Sequence, residues 1–206
     1  MATHPLWRPF ELTDLQQSDA AVVGPSPPGK VRVVPYDGAW PERAARLIAS
    51  LRTALGDRVL ALDHVGSTSV PGLAAKPVLD LVLTVADPAD EAAYVAALQP
   101  LGLLLHIREP DWDEHRMLTR RDRSVNLHVF GPAAPEPRRL VAFRDWLRTH
   151  DDDRAAYGAL KVALGDQGFA RVMDYNNHKA ELVYDIYERI FAADPAHEHD
   201  PQPRAD

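Results

Sequence analysis

Between His64 and Asp80 the chain reads HVGSTSVPGLAAKPVLD. Gly66 lets a backbone approach a ligand closely, and Ser67 adds an N–H and a hydroxyl suited to phosphate oxygens. Asp80, on the strand that follows, could hold Mg²⁺ beside those phosphates. The same residues have a plainer reading. Gly-Ser is a common turn, and one aspartate on a strand can satisfy a neighbouring backbone group. Some phosphate and nucleophile motifs are excluded. Five residues separate Gly66 from Gly72 and Leu73 follows, so this is not G-x-x-x-x-G-K-[ST]. Neither G-x-S-x-G nor G-x-G-x-x-G occurs.

Other side chains could join such a site. Lys76 can neutralise a phosphate as a point charge, or be a solvated turn lysine. His64 either fixes the turn by a hydrogen bond or takes part in chemistry. His128 alternates with Asn126 and Phe130 along one strand face, which makes it a candidate base or ligand beside Asp80, or a satisfied sheet histidine. Arg116 and Arg120 are four apart on the preceding strand and share a face, where their planar donors could clamp a phosphate or carboxylate. Lys161 and Lys179 fall in the C-terminal helices. Lys179 interrupts an apolar stripe and either reaches nucleotide phosphates or pairs with a surface carboxylate. DWDEH at 111–115 lacks the glycine and distal glutamate of a calcium loop. His197 and His199 in the C-terminal stretch read as an adventitious metal catch.

The elements that must position these residues follow from periodicity. VRVVPY is a short strand, and a helix from Pro41 buries Ala44, Leu47, Ile48, Leu51 and Leu55 before Gly56 stops it. VLALDHV and Pro77–Val85 are strands on either side of the quoted loop. A helix capped by Asp87 carries Tyr94, Val95, Leu98 and Leu101. LGLLLHI is a strand, and HRMLTR with SVNLHVF forms a hairpin across RRDR. Then come a helix with Leu140, Phe143 and Leu147, and one from Asp151 with Tyr157, Leu160 and Leu164. A break bracketed by Gly165 and Gly168 follows, then one long last helix. The class is α+β, a mixed sheet with packed helices and a helical C-terminal part.

Composition sets the outer bounds. The chain has 206 residues, 46% of them hydrophobic and 26% charged, enough for one full core. Thirty acidic against 23 basic residues give a net charge of −7, which argues against a partner such as bulk nucleic acid or a membrane surface. The absence of cysteine removes disulfides and thiolate chemistry. MATHPLWRPFELTDLQQ does not have the form of a secretory signal, and the apolar run Val78–Ala86 is too short to span a bilayer, so a cytoplasmic protein is expected. Residues 1–30 read as an extension ending in the linker VVGPSPPGK, 31–193 as the domain, and 194–206 as a disordered tail.

The blocks RVVPYDGAWPERAARLIASLRTAL and ALDHVGSTSVPGLAAKPVLDLVL, with the later LHVF, FRDWLRTH, YxxLK and Tyr-x-x-x-Lys pieces, resemble the GrpB family over about 31–190. That family is itself similar to the polymerase-β-type nucleotidyltransferases. The resemblance implies a nucleotidyltransferase-like mixed sheet. Gly66, Ser67 and the neighbouring Thr68 would hold a triphosphate, and Asp80 would be a catalytic carboxylate that binds Mg²⁺. In the scheme built on that resemblance, Lys76 with Arg116 or Arg120 would neutralise charge, Lys179 would meet phosphates, and His128 would assist as base or ligand. The implied activity is transfer of a nucleotidyl or phosphoryl group from an NTP to a small-molecule acceptor. The alternative is a non-catalytic nucleotide- or anion-binding module. The sequence departs from the superfamily where Leu81-Val82 follow Asp80: the residue two along should be a second carboxylate and is valine. The strand SVNLHVF, where a third acid is expected, carries Asn126 and His128 instead.

Overall fold

The computed structural model describes residues 2–24, 32–169 and 171–204. Five strands, β1 (Ala61–Val65), β2 (Leu79–Thr84), β3 (Leu103–Glu109), β4 (His115–Arg120) and β5 (Val125–Phe130), form one mixed sheet in the order β1-β2-β5-β4-β3. β2 and β5 run parallel and the other neighbours antiparallel. The helices among the described residues are α1 (Leu15–Ala20), α2 (Trp40–Leu55), α3 (Val95–Leu98), α4 (Glu136–Thr149), α5 (Asp151–Asp166), α6 (Val172–Asn177) and α7 (Ala180–Ala192). This is the α+β class expected from the pattern.

The strand period of two sorts the sheet into two faces. Leu79, Leu81 and Leu83 of β2, Val125, Leu127 and Val129 of β5, and Leu118 of β4 point back into the main core. There Trp40, Ala44, Leu47, Leu51 and Leu55 of α2 meet them, a stripe at helical spacing. Asp80, Val82 and Thr84 point forward, with Asn126, His128 and Phe130 beside them. α4 covers the β1–β2 half of that front face, burying Val65, Val82 and Phe130 against Ala134, Leu140 and Val141.

Local departures from the expected elements have local causes. VRVVPY forms only an isolated bridge, Val34 with Ala75; Val31 lies outside the described residues, as do 25–30 of the linker. Pro35 has no N–H with which to extend a ladder. Asp87 accepts the Ala89 N–H at 2.8 Å, a tight turn rather than a helix cap, and two 3₁₀ turns flank the short α3. The first break falls later than expected: α5 continues through Gly165, where a Cβ would come 2.8 Å from Val33 Cγ2. The long last helix is two helices. Asn176, Asn177 and His178 are poor helix formers. His178 Nδ1 bonds the Asp174 carbonyl at 2.7 Å, and the chain turns at Lys179.

The N-terminal segment is tied to four parts of the domain. Trp7 Nε1 donates to Glu188 of α7 at 2.8 Å, and Arg139 of α4 to the Leu6 carbonyl. Thr13 exchanges two 3.0 Å bonds with Asn177 of α6. Val22 then bridges Ile107, on the outer edge of β3. The C-terminal stretch lies along α7: His199 bonds Glu188 at 2.9 Å, Arg204 bonds Asp185 at 2.8 Å, and Asp200 pairs with the backbone of Ala2. No described helix is long and apolar enough to cross a membrane.

Candidate functional site

The loop from β1 to β2 is built around Asp80. Gly66 has φ +66°, and a Cβ there would sit 2.6 Å from Asp80 Oδ2, so only glycine lets loop and carboxylate meet. Ser67–Ser69 then form one 3₁₀ turn. Thr68 is 1% exposed; its hydroxyl donates to the Val78 carbonyl at 3.1 Å and lies 2.9 Å from His64 Nε2. With that proton committed, Thr68 accepts from His64 Nε2–H. Burial, with Arg148 and Arg144 adding to it, pushes His64 down to about 4 despite Asp80 nearby, so it is neutral. Thr68 and His64 therefore strut the loop, and Thr68 does not face a ligand as expected. From α4, Arg148 donates twice to the Ser69 carbonyl (3.1 and 2.8 Å), and Arg144 donates to the His64 carbonyl at 3.1 Å. The FRDWLRTH segment thus holds the loop from outside.

Three lysines lie within electrostatic reach of Asp80. Lys76 comes from the loop, Lys161 from α5, and Lys179 from the turn between α6 and α7. Lys161 is 2% exposed, and its Nζ donates to the Ala74 carbonyl at 2.6 Å. Lys179 Nζ lies 3.4 Å from Tyr157 Oη. Tyr157 and Tyr175 supply ring faces: Lys76 Nζ is 5.1 Å and Lys179 Nζ 5.5 Å from the Tyr175 centroid, and Lys161 Nζ is 5.1 Å from that of Tyr157. Burial, then each other's charge, lowers these amines. Lys161 falls to about 6 under burial, Lys179 and Lys76; Lys76 falls to about 8 under burial and Lys179. Lys179 is also lowered by burial, and Asp80 partly offsets all three. Tyr157 is pushed up to about 12 by burial, with the Ser67 hydroxyl opposing. Tyr175 is fully buried, yet its hydroxyl has no partner among the described residues.

On the other side of Asp80, Asn126 Nδ2 donates to Oδ1 at 3.0 Å, and His128 stands two residues along the same face. His128 Nδ1 lies 3.1 Å from His115 Nε2, and His115 Nδ1 lies 2.6 Å from Glu109 Oε2. Burial, then His115, pushes His128 down to about 4, with Asp80 and Glu109 opposing.

The structure thus brings together Gly66, Ser67, Lys76, Asp80, His128 and Lys179. It turns Arg116 and Arg120 away. In the β4–β5 register Arg116 pairs with Val129, so both arginines point to the back face. Arg116 is engaged by Glu91 at 2.8 Å and by Glu114, while Arg120 donates to the Leu101 carbonyl and lines a separate cavity of about 320 Å³ with Arg43 and Arg46. The even spacing gave their shared face correctly but not which face it was.

The donor set does not fit a protein-bound Mg²⁺. That ion takes about six oxygens, mostly carboxylate or water. Here one carboxylate already accepts from Asn126, and three amines lie within its electrostatic reach. Val82, at the position for a second acid, is 2% exposed beneath α4. No metal-ligating trio among the described residues includes Asp80. The trio that exists, His4, Asp194 and His197, is knitted by hydrogen bonds. His4 Nδ1 accepts the Leu6 N–H, which leaves the proton on Nε2, the atom a metal would need.

The GrpB protein family profile matches residues 30–189. The chain belongs to the GrpB family. It is 43% identical over 162 residues to a UPF0157 protein of Halalkalibacterium halodurans, covering 79% of this chain and 83% of that one. A UPF0157 protein of Streptomyces coelicolor is 40% identical over 158 residues, covering 77% and 83%. The dephospho-CoA kinase of Mycolicibacterium paratuberculosis is 31% identical over 188 residues, covering 78% of this chain but 46% of that protein. Among solved structures, the conserved protein GrpB from Enterococcus faecalis superposes with a TM-score of 0.70 at 26% identity, covering 78% of this chain and 97% of the other. The GrpB match begins at residue 30, so the segment tied to α4, α6, α7 and β3 lies outside it.

Proposed function

We propose that this GrpB protein binds a nucleotide or a closely related phosphorylated small molecule, gripping its phosphates at the lysine cluster beside Asp80. One observation carries the reading: three amines with depressed basicity share the field of a single carboxylate, and two of them lie against the ring of Tyr175, a buried tyrosine whose hydroxyl has no partner among the described residues. Buried positive charge in excess of its counterion is costly, and an unsatisfied buried donor calls for a partner. A phosphate supplies both the negative charge and the acceptor oxygens. Similarity to proteins named dephospho-CoA kinase supports a nucleotide-bearing ligand over a simple carboxylate. Mg²⁺, where it takes part, arrives chelated by the ligand's own phosphates.

Thermal-shift titration with ATP, GTP, CTP, UTP and inorganic phosphate, with and without Mg²⁺, tests this. Binding to the native state adds about 2.7 kcal/mol at a hundredfold excess over Kd. Stabilisation is expected without metal, and Lys179→Met and Lys76→Met should each abolish it. No shift with any of the five ligands overturns the reading.

A further inference from the structure

We infer that Glu109, His115 and His128 form a proton relay whose open end, His128 Nε2, takes the proton from a hydroxyl group as its oxygen attacks a phosphorus held at the lysine cluster. This inference rests on the phosphate reading above and adds a reaction to it.

The geometry fixes the direction of the relay. The Glu109 carboxylate can only accept, so His115 Nδ1 carries the proton in their 2.6 Å bond. In the neutral ring this leaves His115 Nε2 as an acceptor. His128 Nδ1 must then donate across 3.1 Å, and its Nε2 is left as a bare lone pair. Among the described residues nothing bonds that nitrogen. A histidine buried only for packing needs no such chain. Here three strands each contribute one member: Glu109 ends β3, His115 starts β4, and His128 lies on β5. The two rings stack at 5.3 Å and 18°, and Trp112 and Phe130 wall off His115, which is 2% exposed. The relay is rigid, and it ends on the same face as Asp80. His128 stands about 7 Å along β5 from Asn126, the residue paired with Asp80.

The step balances within these groups. The acceptor's O–H proton moves to His128 Nε2 while its oxygen forms a bond to phosphorus. The phosphorus–oxygen bond to the leaving phosphate breaks, and its electron pair stays on that phosphate, whose charge meets Lys76, Lys161 and Lys179. The imidazolium formed on His128 gives its Nδ1 proton toward His115, so positive charge ends beside Glu109. His128 touches the reacting proton and is the catalytic residue. His115 and Glu109 position it and stabilise its charge.

Two measurements decide the matter. Long-range ¹⁵N–¹H NMR of histidine-labelled protein should show His115 and His128 both in the Nδ1–H tautomer. An Nε2–H tautomer at His128 overturns the relay. Phosphorus NMR should follow release of phosphate or pyrophosphate from ATP, with and without Mg²⁺ and with water or glycerol as the hydroxyl. A general base contributes at least about 100-fold, so His128→Gln should lower release by that much with ATP binding unchanged. Glu109→Gln should move the acid limb of the rate profile to lower pH, because a carboxylate favours the protonated relay; a merely structural glutamate would leave the limb in place. Equal release from the wild type and His128→Gln, including none from either, overturns the inference. Failure of the phosphate reading shows separately, as no ATP-induced thermal shift in the wild type, and takes this inference with it.

Discussion

Lys161 is the residue where the site's purpose weighs on the fold. Its amine feels the charges of Lys179, Lys76 and Asp80, lies 5.1 Å from the Tyr157 ring centroid, and donates to the Ala74 carbonyl. Burial first, then the two lysines, holds it at about 6 against about 10.5 in an unfolded chain. Between those values the unfolded state binds one more proton, so stability rises with pH, by about 1.4 kcal/mol per pH unit for a whole proton. Lys161→Met removes that dependence. In the absence of ligand, urea melts of the wild type should gain stability from pH 6.5 to 9 more steeply than those of Lys161→Met. Parallel slopes would mean that the amine stays charged in the fold. The same substitution should weaken phosphate binding, since it removes an amine that a bound phosphate would draw into its protonated form.

At the scale of elements, periodicity makes the sheet and most helices legible in the sequence. Apolar alternation marked the strands, and Pro41 and Gly56 bounded α2 within a residue. The quoted loop was legible for a different reason. Gly66 is required by contact with Asp80, and a residue type forced by contact leaves its mark in the sequence. What stayed hidden depended on long-range packing. Nothing local says that α4 lies over Val82, that Glu109 and His115 line up behind His128, or that the chain turns at Lys179 to bring its amine beside Lys161. Arg116 and Arg120 went astray because spacing gives a shared face and only the register says which. The N-terminal segment raises its own question at this scale. Its bridge to β3 occupies a strand edge that would otherwise offer unpaired backbone groups. A chain starting at residue 30 should keep its fold, because the GrpB match begins there. It should melt at lower temperature, having lost the Trp7–Glu188 and Arg139–Leu6 bonds, and self-associate more in sedimentation. An unchanged melting temperature would mean that these contacts carry no stability.

Over the whole molecule, the overall charge and the site oppose each other. The chain carries −7, yet its candidate site concentrates lysines. The long-range field repels extended polyanions, while a small anion that enters feels mainly the local cations. A twenty-nucleotide single-stranded RNA should therefore fail to displace ATP in a fluorescence competition at physiological salt, while inorganic phosphate in excess should displace it. Displacement by the RNA would move the ligand class from metabolite to nucleic acid.

The pairing of Ala2 with Asp200 also has a mechanical consequence. A pull applied at these two points loads neighbouring contacts one after another, in the manner of a zip. The contacts of His4, Trp7 and His199 on α7 would let go in turn while the sheet still bears no tension.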